Sequence, residues 1–249
     1  MVAAQSHGVP QRKYGKGNRY MDEYKPKARL KVVGQKVDLF NFQDYPDSMD
    51  LHKYDVRKIG YKGAKEYISR NHYTHGCGAS ASPCYGLFDG FKLIGVLMFA
   101  CPCSEDVRAS LFGEDEKDRV VELHRLHILD VTPKNTESWF ISRCLKLLVK
   151  DRPQTKGVIS FSDLTQGHEG TIYKATNAYR CGQTSRIWVF VDKDGRLRHE
   201  RQHGHHVTDQ EAKEMGWKKI LSQPKNRYVY IVGNNKSDIR YWTKKCKLI

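Results

Sequence analysis

Arg119-Val-Val-Glu-Leu-His-Arg-Leu-His-Ile-Leu129 is the run on which the fold turns, and it reads as a strand. A turn follows, Asp130-Val-Thr-Pro-Lys-Asn-Thr136, and then an amphipathic run, Glu137-Ser-Trp-Phe-Ile-Ser-Arg-Cys-Leu-Lys-Leu-Leu-Val149. Within it Phe140, Cys144, Leu147 and Leu148 fall on one face at helical spacing. Asn135 or Thr136 is placed to cap its start. Gly157-Val-Ile-Ser-Phe-Ser-Asp163 is a second strand, and Gly167 to Tyr179 reads as a second helix. Strand, helix, strand, helix in that order is a parallel βαβ unit.

Upstream, Cys84-Tyr-Gly-Leu-Phe88 and Phe91 to Ala100 flank Asp89-Gly90, the strongest short-range hairpin signal. The second arm is almost wholly apolar and belongs inside a sheet. Val56 to Gly60 reads as a short strand, Tyr61 to Asn71 as a helix with Ala64, Tyr67 and Ile68 inward, and acidic 104–118 as a surface loop or short helix. Downstream come a hairpin (Arg186 to Val191, Arg196 to Arg198), a capped helix from Thr208 to Met215, and a late strand from Asn226 to Val232. The whole is a mixed α/β (α+β) layer built on one central sheet.

At 249 residues the chain fits one large domain with extensions. No apolar run is long enough to span a membrane, and no signal-peptide pattern opens the sequence. Seven cysteines, an odd number, do not suggest a disulfide framework, so a reducing cytoplasm is expected. The formal charge of +15 is concentrated at the ends. Residues 1–36 hold nine basic residues against two acids, and residues 217–249 hold nine against one. We read 1–36 as a flexible basic arm, 37–249 as a single catalytic domain with its core motifs in 71–188, and 217–249 as its basic C-terminal segment. Basic ends on a neutral body suggest a polyanionic partner. Tyr14, Tyr20, Tyr228, Tyr230, Tyr241 and Trp242 are interleaved with this charge, as stacking on bases would require.

The element order resembles the fold of the GNAT-type N-acetyltransferases. In that fold the helix after the central strand binds the pyrophosphate of acyl-coenzyme A at its N-terminus. The corresponding stretch here is Lys134-Asn-Thr-Glu-Ser138. The fold's usual Arg/Gln-x-x-Gly-x-Gly/Ala loop is absent, and Glu137 brings a negative charge to the same place.

A narrower resemblance rests on Glu122-Leu-His-Arg-Leu126, Thr132 to Leu145, Ser160-Phe-Ser-Asp163 and Gly167-His-Glu-Gly-Thr-Ile-Tyr-Lys-Ala-Thr-Asn177. It begins near Asn71-His-Tyr73, includes Cys84 to Phe88, and reaches about Trp188. These linked motifs resemble the Mom family of phage proteins, which modify adenine in DNA so that host restriction enzymes no longer cut it. The resemblance implies an acyltransferase-like enzyme acting on double-stranded DNA in the cytoplasm of an infected bacterium. It would convert the exocyclic amine of adenine to a carbamoylmethylated form, with acyl-coenzyme A (acetyl-CoA) as donor and iron as a further cofactor. Asp163, Tyr173 and His72 are the catalytic positions so implied; Arg125, Asn135, Thr136 and Ser138 are the cofactor-binding ones.

The residue types allow these roles and plainer ones. Arg125 in an apolar strand requires a partner, either a phosphate or Glu122 or Asp163. Asp163 ends a strand, where α/β sheets gather ligands, or it serves the turn. The Tyr173 phenol protonates a leaving thiolate or packs. His72 is a base, a metal ligand or a surface residue. Ser138 bonds a phosphate or carbonyl, or only begins a helix. Cys101-Pro-Cys103 and His199, His203, His205 and His206 lack structural zinc spacing and read as loops. The site residues are expected to converge on one cleft, with Asp163 and Tyr173 on the same face of the sheet. The other functions weighed are a small-molecule or protein N-acetyltransferase and a non-catalytic DNA-binding protein on this fold.

Overall fold

The computed structural model describes residues 51–72, 77, 81–102, 104–198 and 206–249. The basic arm over 1–36, Tyr73, Cys103 and His199, His203 and His205 lie outside these residues.

Strand β1 (Tyr54–Ile59), helix α1 (Tyr61–Asn71) and the hairpin β2 (Cys84–Asp89)/β3 (Lys92–Ala100) come first. The hairpin forms as Asp89-Gly90 dictates, with Gly90 at φ 57°. Helix α2 (Glu105–Phe112) starts at Ser104, whose hydroxyl accepts from the N–H of Val107 at 3.5 Å. It is more than a surface segment, because Leu111 and Phe112 are buried at its end. Strand β4 (Val120–Ile128), helix α3 (Thr136–Asp151) and strand β5 (Gly157–Asp163) are the anticipated βαβ unit.

The second helix of that unit is much shorter than the pattern suggests. A 3-10 turn over Leu164–Gln166 precedes α4, which spans only Thr171–Ala175. Gly167 (φ 73°), Gly170 (φ 77°) and Asn177 (φ 60°) adopt left-handed backbone that a helix cannot continue through. Tyr179 instead opens a strand, β6 (Tyr179–Gln183).

A seven-stranded sheet has the order β1-β2-β3-β4-β5-β10-β6, where β10 is Lys225–Ile231. Among the described residues β4 and β5 form its one parallel pair. Helices cover both faces. α3 and α4 bury Phe140, Ile141, Cys144, Leu148 and Tyr173 against Leu97, Phe99, Val121, Leu123 and Val158. On the other face α1 packs over Val96 and Met98. There α2 and the C-terminal helix α6 (Lys236–Lys245) pack over Val120, Ile159 and Val229. A three-stranded sheet, β8 (Leu197–Arg198), β7 (Trp188–Val191) and β9 (Lys218–Leu221), stands apart from the main one. Helix α5 (Asp209–Glu214), held by a Thr208/Glu211 capping box, covers it through Phe190, Val207 and Ala212.

The reading of the C-terminal aromatics as base-stacking contacts is overturned for three of them. Tyr228, Tyr230 and Trp242 are all buried. The first two lie in β10, an interior strand, and Trp242 packs edge-on against Phe112 at 4.9 Å. One C-terminal cation and the acid of the C-terminal segment are also paired within the chain. Lys245 pairs with Glu116 at 2.7 Å, and buried Lys156 pairs with Asp238 of α6 at the same distance. The hydrogen bond from Lys156 holds the Asp238 carboxyl below its ordinary range. Tyr241 remains exposed.

Candidate active site

Strands β4 and β5 pair only from Val120/Gly157 to Glu122/Ile159. Beyond that point β4 runs on to Ile128 and β5 to Asp163 with no pairing between them. A register shift in β4 coincides with the parting. Arg125 pairs with Met98 and Leu123 with Phe99, so His124 is the extra residue of a bulge. Bulges bend and twist a strand and often stand beside active sites. The result is a wedge-shaped opening between two parallel strands at their C-terminal ends, where ligands of α/β sheets bind.

Two buried polar atoms near this opening have no hydrogen-bond partner: Ser162 Oγ on β5 and His124 Nε2 on β4. The other ring nitrogen of His124 lies 3.3 Å from Glu122 Oε1. Buried polar groups are almost always paired, so such orphans mark places where a ligand or water belongs.

Helix α3 begins after Asn135, whose backbone is left-handed (φ 70°) and whose side chain makes no capping bond. Thr136 does not cap it either. It is fully buried, and both its hydroxyl (2.7 Å) and its N–H (3.3 Å) donate to the Pro133 carbonyl. The Ser138 hydroxyl donates to the Asn135 carbonyl at 2.9 Å. The expected cap is therefore replaced by a turn that leaves the helix start without a capping side chain, a favourable place for an anion. Thr136 shapes that turn from the interior.

Arg125 donates to the His124 carbonyl at 2.7 Å. The two acids considered as its partners are engaged elsewhere. Glu122 contacts His124, while Asp163 meets Lys225 at 3.3 Å and accepts the Thr165 N–H at 3.0 Å. Strand alternation puts Arg125 and His127 on the α1 face, opposite Met98 and Val96. His127 Nδ1 lies 3.3 Å from the Tyr67 hydroxyl, which donates to the Ile94 carbonyl at 2.8 Å. Burial pushes that phenol well above its ordinary range. His72, buried at the end of α1, has its ring 6.4 Å from that of His127. His124 and His127 were not singled out from the sequence. The two-residue period of β4 was the signal for His127, but only the fold shows that α1 brings His72 to it.

Tyr173 is buried in α4 and lies 5.0 Å from Tyr228, ring centre to ring centre. The Tyr228 hydroxyl donates to the Glu169 carbonyl at 2.9 Å, and a Cβ on Gly170 would sit 2.5 Å from the Tyr228 ring. The Gly167-to-Gly170 loop is thus pressed onto β10, and it sets the position of Tyr173. The expectation of a shared face is not met, and the reading of Asp163 and Tyr173 as one acid–base pair on a single face of the sheet is overturned. Asp163 follows Ile159 and Phe161 on the α2/α6 side, whereas Tyr173 belongs to the α3 side. Strand alternation sets the side of Asp163, and the left-handed turns at Gly167 and Gly170 carry the chain to the other side before Tyr173, so the two flank the end of β5 from opposite sides.

A groove of about 1040 Å³ runs beside α3, lined in part by Trp139, Arg143, Lys146, Thr176 and Tyr230, and none of the seven candidate residues lines it. The strand opening, not this groove, is the candidate site for those residues. Among the described residues no group of three His, Cys, Asp or Glu side chains is arranged to hold a metal ion. The described residues therefore offer no ligand set for a resident iron. Cys144 and Cys84 are not nucleophiles of this site: burial raises both thiols, Cys84 to about 11.

Residues 53–246 match the family model of the Mom protein family. The chain belongs to that family. A relative from Escherichia phage Mu, described as methylcarbamoylase mom, is 28% identical over 185 residues, 74% of this chain and 73% of its own. Among solved structures, similar chains include the ribosomal-protein-S18-alanine N-acetyltransferase of Escherichia coli (7% identity, 73% of this chain and 96% of that one, TM-score 0.43). An acetyltransferase of Salmonella typhimurium solved with acetyl-CoA is also similar (10% identity, 74% and 96%, TM-score 0.42).

Proposed function

We propose that this Mom-family chain is a transferase that modifies the exocyclic amine of adenine in double-stranded DNA, yielding a carbamoylmethylated base that host restriction enzymes no longer cut. The observation that carries the reading is the opening between β4 and β5, with an uncapped helix start and the unpartnered Ser162 hydroxyl beside it. Family membership supplies the substrate class. Among the described residues no helix is long and apolar enough to cross a membrane, and the substrate would be met in the cytoplasm of the infected host.

In this scheme acyl-coenzyme A is the donor. The first turn of α3, with Asn135 and Ser138, would receive its phosphates, while Arg125, on the α1 face with His72, would supply positive charge on the acceptor side. The group brings an activated carbonyl; the protein's part is to orient it and to handle protons. From the α1/α2 side of the sheet, His72 or Asp163 would accept a proton from the attacking amine, with Tyr173 acting from the α3 side of the opening. Tyr173, held by Tyr228, returns one to the leaving thiolate. Acyl transfer alone joins nitrogen to a carbonyl carbon, whereas a carbamoylmethyl group joins through its methylene. The assigned residues serve acyl transfer alone; an acetyl group becomes carbamoylmethyl only with an added amide nitrogen and a two-electron oxidation, which these residues do not supply.

Nucleoside mass spectrometry of DNA from cells expressing the chain tests this. Modified adenine, lost in Asp163→Ala, is the expected result. Unmodified DNA together with acetylated protein or polyamine would favour an ordinary N-acetyltransferase.

A further inference from the structure

We propose that the three-stranded sheet inserted between β6 and β10 grips the DNA duplex, and that Trp188 is the wedge that fills the stack when the target base turns out. The inference rests on the DNA reading above.

Position is the first argument. The insert leaves the main sheet at Gln183, the end of β6, and returns at Lys225, the start of β10. Lys225 stands opposite Asp163 in the ladder. The Gln223 N–H donates to Thr165 Oγ1 at 3.1 Å, and Thr184 and Lys225 exchange two bonds of 2.9 and 3.0 Å. The insert is thus rooted at the end of β5, beside the strand opening. Leu221, the register partner of Trp188, is four residues from Lys225, a span of at most about 14 Å.

Exposure is the second argument. Phe190 and Trp188 lie on the same face of β7, two residues apart. Phe190 is 4% exposed beneath α5, but Trp188, nearer the root, is 60% exposed. Leu221 (37%), its register partner, stands beside it on that face. Single exposed apolar residues need no explanation, but an exposed cross-strand pair built on a Trp at the root marks a contact surface.

Charge identifies the occupant. Arg186 is held next to this patch by bonds to the carbonyls of Ser222 (2.9 Å) and Leu221 (3.5 Å). Lys219 lies 6.0 Å from the Trp188 ring while paired with Asp209. An aromatic and an aliphatic side chain flanked by cations suit bases and phosphates together. Adenine's amine is hidden in a duplex, and enzymes that act on such a base must extrude it at a cost of a few kcal/mol. A side chain that takes the vacated place lowers that cost.

The test compares wild type, Trp188→Phe and Trp188→Ala on a duplex oligonucleotide and on the same oligonucleotide as a single strand. Modified adenine is read by mass spectrometry, and base extrusion by the fluorescence of 2-aminopurine replacing the target in the duplex. Trp188→Ala should lose about tenfold to a hundredfold in duplex modification, since each 1.4 kcal/mol of unrecovered extrusion cost is a factor of ten. On the single strand it should match wild type, and Trp188→Phe should stay close to wild type on both. The 2-aminopurine signal should fall in Trp188→Ala alone. Equal loss on both substrates, or no loss on either, overturns the proposal. If wild type modifies neither substrate, the adenine reading fails by itself. The fluorescence then decides the wedge: a signal that Trp188→Ala abolishes supports it, and no signal overturns it.

Discussion

The two sides of the main sheet are built from different materials. From β1 to β4 its interior is mostly apolar: Leu87, Ile94, Val96, Leu97, Met98 and Phe99 are all buried, and the buried Tyr85 sends its hydroxyl outward to Asp151 at 3.1 Å. From β5 to β6 the interior is mixed. Ser160, Ser162, Asn226, Tyr228 and Tyr230 are equally buried, and most of them are satisfied one by one. Asn226 Oδ1 accepts from Arg180 and Gln183, both at 2.9 Å, and the Tyr230 and Thr176 hydroxyls meet at 2.5 Å. The strand opening lies at the boundary between them. An apolar core supplies stability without direction, while a polar interior fixes side chains at angles that chemistry requires. The comparison separates residues that hold the fold from residues that hold the site.

Four substitutions break or sharpen that separation. The largest effect is expected at Tyr173→Phe, which removes one hydroxyl and keeps the ring on Tyr228. If the phenol is the proton donor, adenine modification should fall by about 100- to 10,000-fold. Thermal unfolding should stay within a few degrees of wild type, since one hydrogen bond is worth about 0.5–1.5 kcal/mol. Tyr179→Phe, on the outer strand β6, is the control and should keep its activity. Near-normal modification by Tyr173→Phe would make that phenol a packing group.

On the apolar side the balance should reverse. Leu97→Ala leaves a cavity beneath α3 and should cost about 2–5 kcal/mol in denaturant unfolding. The protein that remains folded should keep its activity per molecule. If activity per folded molecule collapses, the two sides are not separable.

Gly170→Ala tests the joint between them. The added methyl meets the Tyr228 ring in a left-handed backbone, and the strain should cost about 1–3 kcal/mol. Because the same loop positions Tyr173, activity should fall further than stability accounts for; a proportional loss would detach the loop from the site. The smallest stability effect is expected at Ser162→Ala. Removing a buried hydroxyl that has no partner should leave stability within about 1 kcal/mol of wild type or raise it. Weaker binding of acyl-coenzyme A in calorimetry would place Ser162 in the donor's path, and unchanged binding would remove it.

Local pattern determined a good part of this molecule. The period of two in β4, the period of 3.6 in α3 and the Asp89-Gly90 turn each act over a few residues, so the βαβ unit and the hairpin were legible in the sequence. The motif residues of the candidate site were legible too, as residue types in order. Tertiary structure decided the rest, because it depends on partners far apart in the chain. Tyr228 looked available for stacking until β10 was placed between β5 and β6, which buries it. The parting of β4 from β5 arises from a bulge at His124, visible only in the register with β3. Asp163 and Tyr173, ten residues apart, fall on opposite sides of the sheet because two left-handed glycines redirect the chain between them. Trp188 is bare and Phe190 covered only because α5 reaches one and not the other. Short-range sterics and periodicity write the elements, while long-range pairing and burial decide which of their side chains meet.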